Sequence, residues 1–116
     1  MFESVNRDVL ILFPKQPLYD WVNYIYPNEK VECPKLMAHD EADVFLIPEF
    51  KHYNDAIEYL KKNYIAFFEH ELFDWTTDED LWPDNPTWEM FCNWFHFSIQ
   101  SILIDTLEEK IKKDDL

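Results

Sequence analysis

The chain has 116 residues and no glycine. Glycine normally supplies roughly 7% of a sequence. It is the residue that takes positive φ freely and lets a backbone approach a phosphate closely. Its absence removes the G-x-x-x-x-G-K phosphate loop, the G-x-G-x-x-G dinucleotide turn and the G-x-S-x-G nucleophile elbow. Nucleotide hydrolases, dinucleotide oxidoreductases and α/β-hydrolases are thereby disfavoured. Cysteine is also scarce: Cys33 and Cys92 stand far apart with no C-x-x-C. No zinc-finger pattern results, and two free thiols in a reducing cytoplasm are expected. Basic residues are few as well, with Arg7 the only arginine and a net charge of −14. Such a field repels nucleic acids and anionic membrane surfaces. The apolar run near the start, Val9 to Phe13, is too short for a signal peptide core or a membrane span.

Apolar residues, by contrast, are plentiful. They make up 47% of the chain, with 10 Phe, 6 Tyr and 5 Trp. Each buried ring removes about 150–250 Å² from water, so one domain of this length can build a core without staples. No linker, internal repeat or low-complexity segment divides residues 1–116.

Two unbroken apolar runs end in proline: Val9–Phe13 before Pro14, and Val44–Ile47 before Pro48. Both read as buried strands. Between them Leu18, Trp21, Val22 and Ile25 recur at helical spacing, and Pro17 suits a first turn, which predicts a helix over Pro17–Tyr26. The weakly patterned stretch from Pro27 to Glu41 follows, with a short helical turn expected over Lys35–Asp40. Ile57, Leu60, Tyr64, Phe67, Phe68, Leu72 and Trp75 then predict a long helix over Asp55–Phe73 with Asn54 as its cap. Thr76 and Glu79 have capping-box spacing. A further helix starts at Asn85–Pro86 and ends near Trp94. His96–Ile104 alternates as a strand, and Thr106 with Glu109 predicts a short C-terminal helix.

The predicted fold is α+β, a single small domain ordered β-α-β-α-α-β with that terminal helix. A strand–helix–strand succession implies a right-handed crossover between parallel strands. The expected sheet is three-stranded and mixed, in the order 2-1-3, with the third strand antiparallel.

This layout gathers Lys15, Gln16, Glu49, His52 and His96 at one edge, where α/β sheets tend to bind ligands. They form a candidate polar pocket in which Glu49 or His96 could act as a base. The simpler account is a Lys15–Glu49 ion pair with both histidines solvated. A second candidate surface is the loop holding Trp75, Asp78, Glu79, Asp80, Trp82 and Asp84. Carboxylates beside indoles can receive basic side chains of a partner; equally, they can cap helices while the indoles pack inward.

Three clusters invite comparison with metal sites. Glu49 and His52 match E-x-x-H, but only one such pair exists where a di-iron bundle needs two. Glu69, His70 and Glu71 with Asp74 lie within about a turn of helix. His39, Asp40 and Glu41 with Asp43 form the third. None has H-E-x-x-H spacing, and neither a metal nor another cofactor is expected. Cys92 reads as a core thiol, Cys33 lacks surroundings that favour a thiolate, and no catalytic triad is apparent.

Three stretches together resemble a family of small acidic bacterial proteins without an established activity: Pro14-Lys15-Gln16-Pro17-x-x-x-Trp21, Leu46-Ile47-Pro48-Glu49, and Leu81-Trp82-Pro83-x-Asn85-x-Thr87-x-x-x-Phe91-x-x-Trp94-Phe95. The resemblance implies a bacterial cytosolic protein and transfers no catalytic residue. The leading expectation is a non-enzymatic protein-binding or regulatory module, which could act as a homodimer. Alternatives are a small enzyme or ligand binder using the strand-end cluster, and an acidic nucleic-acid mimic.

Overall fold

The computed structural model describes residues 1–35, 38 and 41–114. Its elements in order are β1 (Glu3–Ser4), β2 (Asp8–Pro14), α1 (Gln16–Ile25), β3 (Asp43–Ile47), α2 (Tyr53–Phe73), a 3₁₀ turn (Glu79–Leu81), α3 (Trp88–Trp94), β4 (Phe95–Gln100) and β5 (Ile104–Asp105). The architecture is α+β. Strand β2 lies between β3 and β4, and β1 with β5 forms a separate two-stranded ribbon.

Both neighbours of β2 run antiparallel to it. Asp43 opposes Leu12 and Ile47 opposes Asp8 on one side, while Phe95 opposes Pro14 and Gln100 opposes Val9 on the other. The expected parallel pair, and with it the mixed sheet, is therefore corrected to an antiparallel sheet. A parallel crossover assumes that the helix returns the chain to its starting edge. Here it does not: the Tyr26 hydroxyl, just past α1, donates to the Trp75 carbonyl at 2.9 Å, next to the end of α2, and Asp43 at the start of β3 lies at that same edge, beside the end of β2. An irregular segment joins α1 to β3. That segment is anchored. The Asn23 side chain donates to the Val31 carbonyl at 2.9 Å and accepts from the Val31 N–H at 2.7 Å. Val31 and Cys33 pack against the core. The helical turn expected over Lys35–Asp40 falls largely on residues 36, 37, 39 and 40, outside the described residues.

Other boundaries move for local reasons. Helix α2 begins two residues before the expected Asp55, with His52 as N-cap and no side-chain cap bond. The Thr76–Glu79 box does not form. Thr76 Oγ1 instead accepts from the Asp78 N–H at 3.1 Å, and Asp78 caps the 3₁₀ turn through the Asp80 N–H. The last predicted strand stops at Gln100; its remainder bends into β5. Residues 106–114 form no helix. There Asp105 accepts from the Leu107 N–H, a local turn that competes with helix initiation.

With no glycine available, the chain's one positive-φ residue among those described is Asn85, at φ 46°, the residue type that tolerates the left-handed region best after glycine. Thr87 then caps α3, its Oγ1 accepting from the Met90 N–H at 3.0 Å. Thr87→Ala should cost about 1 kcal/mol, measured as a lower urea midpoint at unchanged slope.

One sheet face packs on the helices. Phe45 meets Phe67 edge-on with centroids 5.1 Å apart. Phe68 of α2 lies among Phe91, Trp94 and Phe95 with centroids 5.3–5.9 Å away. The larger indoles and phenols reach polar partners as buried rings must: Trp21 Nε1 donates to the Leu81 carbonyl, and the Tyr64 hydroxyl to the Pro86 carbonyl, each at 2.9 Å.

Candidate functional site

Reversal of β3 separates the strand-end residues. Lys15, Gln16 and His96 share one rim, lining a hollow with Cys33, Pro34 and Glu41. Glu49 and His52 follow the end of β3, which lies beside Asp8 at the other end of β2. His52 lines a different hollow with Asp8 and Gln100, and Glu49 is exposed. Lys15, Glu49 and His96 therefore do not meet. Lys15 has local work instead: its Nζ donates to the Cys92 carbonyl at 3.4 Å. Gln16 donates to Asp20 one helical turn on, at 2.9 Å.

In the Trp-rich loop the indoles turn inward. Trp82 Nε1 donates to the Thr76 carbonyl at 3.0 Å, and Trp75 packs edge-on against Tyr19 with centroids 6.1 Å apart. Asp78, Glu79, Asp80 and Asp84 remain exposed. Asp78 serves as a cap, while Glu79 and Asp84 border a shallow hollow with Trp82.

The same reversal creates a cluster elsewhere. Because β3 starts where β2 ends, Asp43 stands at the edge to which the 21-residue α2 returns the chain. There it meets His70, Glu71 and Asp74. One donor atom from each of these four residues lies within 4.8 Å of the other three. His70 Nε2 is 4.0 Å from Asp43 Oδ2, and the imidazole is held edge-on to Phe45 at 5.3 Å. A cavity of about 200 Å³ opens beside the cluster, lined by Tyr19, Glu41, Asp43, Glu71, Asp74 and Trp75 among others. No lysine or arginine lines it among the described residues.

Glu71 is the unusual member, only 4% exposed. Burial pushes its carboxyl up to about 10, helped by the hydrogen bond and negative charge of Asp43 and by the charge of Asp74. Asp74 is raised by burial and by Asp43, with His70 pulling the other way. The Tyr19 phenol is raised too, by burial first and then by Cys33, Glu41 and Glu71. Glu71 is thus a neutral acid at pH 7 that shares its proton with Asp43. Carboxyl groups in contact cannot all ionise.

The sequence exposed half of this arrangement. Glu69, His70, Glu71 and Asp74 were grouped, and so was Asp43 with its own neighbours; their convergence was not. His39 and Asp40 lie outside the described residues. Glu69 lines the hollow near Trp82, away from the cluster. Tyr19 was missed. One signal was readable: Glu71 sits three residues after Phe68 and four before Trp75, on the apolar stripe of α2, where a solvated carboxylate would not be placed.

No protein family, curated protein or solved structure matches the chain. Among the described residues, no helix is long and apolar enough to cross a membrane.

Proposed function

We propose that the protein is a non-enzymatic binding module whose ligand at this site is a first-row divalent cation, held by Asp43, His70, Glu71 and Asp74. The observation that carries this reading is the buried Glu71 carboxyl, grouped with two acids and an imidazole beside a cavity that no lysine or arginine lines among the described residues. Three carboxyl oxygens and one imidazole nitrogen suit Zn²⁺ or Mn²⁺ better than soft Cu⁺ or the oxygen-only preference of Mg²⁺ and Ca²⁺. Metal–donor bonds of about 2.0–2.2 Å would need only side-chain closure from the present spacing.

Binding requires ionised carboxylates, so the Glu71 proton must leave. Titration of chelator-stripped protein with Zn²⁺ and Mn²⁺ in buffers of differing ionisation enthalpy should show saturable binding with about one proton released per cation at pH 7. Asp43→Asn and His70→Ala should each weaken it at least about tenfold. Absence of saturable binding by the native chain, or affinity untouched by both substitutions, removes this reading.

A further inference from the structure

At the end of the sheet away from the acid cluster, the start of β2 and the first turn of α2 border a cavity of about 220 Å³. Asp8 lines it and is only 4% exposed. Its carboxylate has no hydrogen-bond or ion-pair partner among the described residues. Among those residues every side-chain oxygen sealed from solvent has a partner, so the Asp8 oxygens keep their remaining contact through the cavity. Arg7, the neighbouring residue and the only arginine, donates to the Asn6 carbonyl at 2.8 Å instead. A carboxylate so far withdrawn from water is costly unless something donates to it. The helix has the opposite deficit. The Asp55 and Ala56 N–H groups both go to the His52 carbonyl. Those of Tyr53 and Asn54 have no acceptor among the described residues, and His52 supplies no side-chain cap. Asp55, the acid of that turn, is exposed and does not line the cavity. Helix α2 is 21 residues long, and the positive end of its dipole attracts anionic groups. Lys51 adds positive charge to the rim, while Phe50, Ala56 and Ile99 supply apolar wall.

We infer that this cavity binds a free α-amino acid with an apolar side chain of valine or leucine size. Its ammonium goes to Asp8, its carboxylate to the Tyr53 and Asn54 N–H groups, and its side chain to Phe50, Ala56 and Ile99. Each simpler occupant leaves a deficit. An anion alone meets the Asp8 carboxylate. A cation alone leaves the helix N–H groups unmet. Water can bridge polar groups, yet roughly seven molecules at ~30 Å³ each would have to fill the space against apolar walls. An amino acid offers donor and acceptor from one carbon atom and carries no net charge into a chain at −14. The volume lies below the ~300–1,000 Å³ of drug-sized sites and suits a molecule of about nine non-hydrogen atoms.

Titration of the full chain followed by amide NMR shifts tests this. Chelator is present throughout, so that no cation at the acid cluster can recruit the amino acid. L-leucine or L-valine should bind saturably with a Kd of about 1 mM or tighter, within reach of a ligand of this size, and should move the Tyr53 and Asn54 amides. Isocaproate, which lacks the ammonium, and isoamylamine, which lacks the carboxylate, should each bind at least about tenfold more weakly than L-leucine. Asp8→Asn should weaken L-leucine binding at least about tenfold as well. Proline is tolerated at the first helical position, and His52 already has the extended backbone that precedes proline, at φ −131° and ψ 142°. Tyr53→Pro should therefore keep the helix while deleting one donor. It should bind L-leucine about tenfold less tightly than Tyr53→Ala, which keeps that donor. Near-ultraviolet circular dichroism verifies that each variant keeps its fold. A native chain that saturates with neither amino acid overturns the inference and leaves the cavity to water. So does isocaproate or isoamylamine binding as tightly as L-leucine, an affinity indifferent to Asp8→Asn, or equal affinities for Tyr53→Pro and Tyr53→Ala.

Discussion

Glu71→Gln should make the metal-free protein more stable than the native chain at pH 8 and equally stable near pH 4. The sign follows from where the proton resides. In the unfolded chain Glu71 has an ordinary carboxyl and ionises above about pH 4.5, whereas in the fold it holds its proton to about 10. Between those limits the native state binds a proton that the unfolded state has released. Stability from this group is therefore fully present below the unfolded value and is lost as pH rises through the window, at a slope of up to about 1 kcal/mol per pH unit. Glutamine cannot ionise, yet its amide can donate to Asp43 as the carboxyl does. The difference between the two proteins isolates the site from the pH dependence of every other group, including the self-repulsion of a chain at −14. Urea melts with chelator at several pH values between 4 and 9 provide the measurement. Parallel curves for the two proteins across that range would show that Glu71 is ionised in the fold. Zn²⁺ adds a second axis. It should restore stability to the native protein at pH 8 and fail to do so for Glu71→Gln, because an amide is a far poorer ligand than a carboxylate. A proton-sharing pair with no affinity for cations gives the first result without the second.

That buried acid also shows what could be read from the residues and what could not. Strand positions were legible because Val9–Phe13 and Val44–Ile47 are apolar runs stopped by proline. The α2 helix was legible from the recurrence of its rings. These signals are local, reporting the period of a segment and where it breaks. Strand direction is not local. It depended on whether α1 carries the chain back to the starting edge of β2, and the stretch after Pro27 that joins it to β3 has no periodicity. Its path is held by the two hydrogen bonds between Asn23 and Val31, which no pattern announces. One reversed strand then decides the whole site. It sends Glu49 and His52 to the far end, and it carries Asp43 to His70, Glu71 and Asp74. In the Trp-rich loop both readings shared the same residues; the Trp82 indole hydrogen-bonds inward to the Thr76 carbonyl while Asp78, Glu79, Asp80 and Asp84 stay exposed. The terminal helix failed for another local reason. The capping-box spacing of Thr106 and Glu109 is accompanied by a single apolar pair at helical spacing, Leu107 and Ile111, and both are exposed.

Phe68→Ala should be the most damaging single truncation considered, with a loss of about 3–5 kcal/mol. Phe68 is fully buried and belongs to three neighbourhoods at once. Its ring lies 5.9 Å from Phe91 on α3, 5.3 Å from Trp94 at the end of that helix, and 5.4 Å from Phe95 at the start of β4. Removing it leaves a cavity walled by rigid rings. Such a wall relaxes poorly, so the cavity cost adds to the lost transfer energy. Domains of ordinary stability have only about 5–15 kcal/mol in total, and this loss brings the chain close to unfolding. Phe73→Ala is the internal control. It sits on the same helix but is 57% exposed, and its truncation should stay within about 0.5 kcal/mol. Urea denaturation of both variants separates the cases: a large drop in midpoint for Phe68→Ala at an unchanged slope, and little movement for Phe73→Ala. Near-equal effects would mean that the aromatic stack joining α2, α3 and β4 is not what holds the edge bearing Asp43, His70, Glu71 and Asp74. The consequence for the site is direct, because α2 delivers three of those four residues. A helix loosened at Phe68 loses its register against β3, and cation binding should weaken in Phe68→Ala while Phe73→Ala retains it.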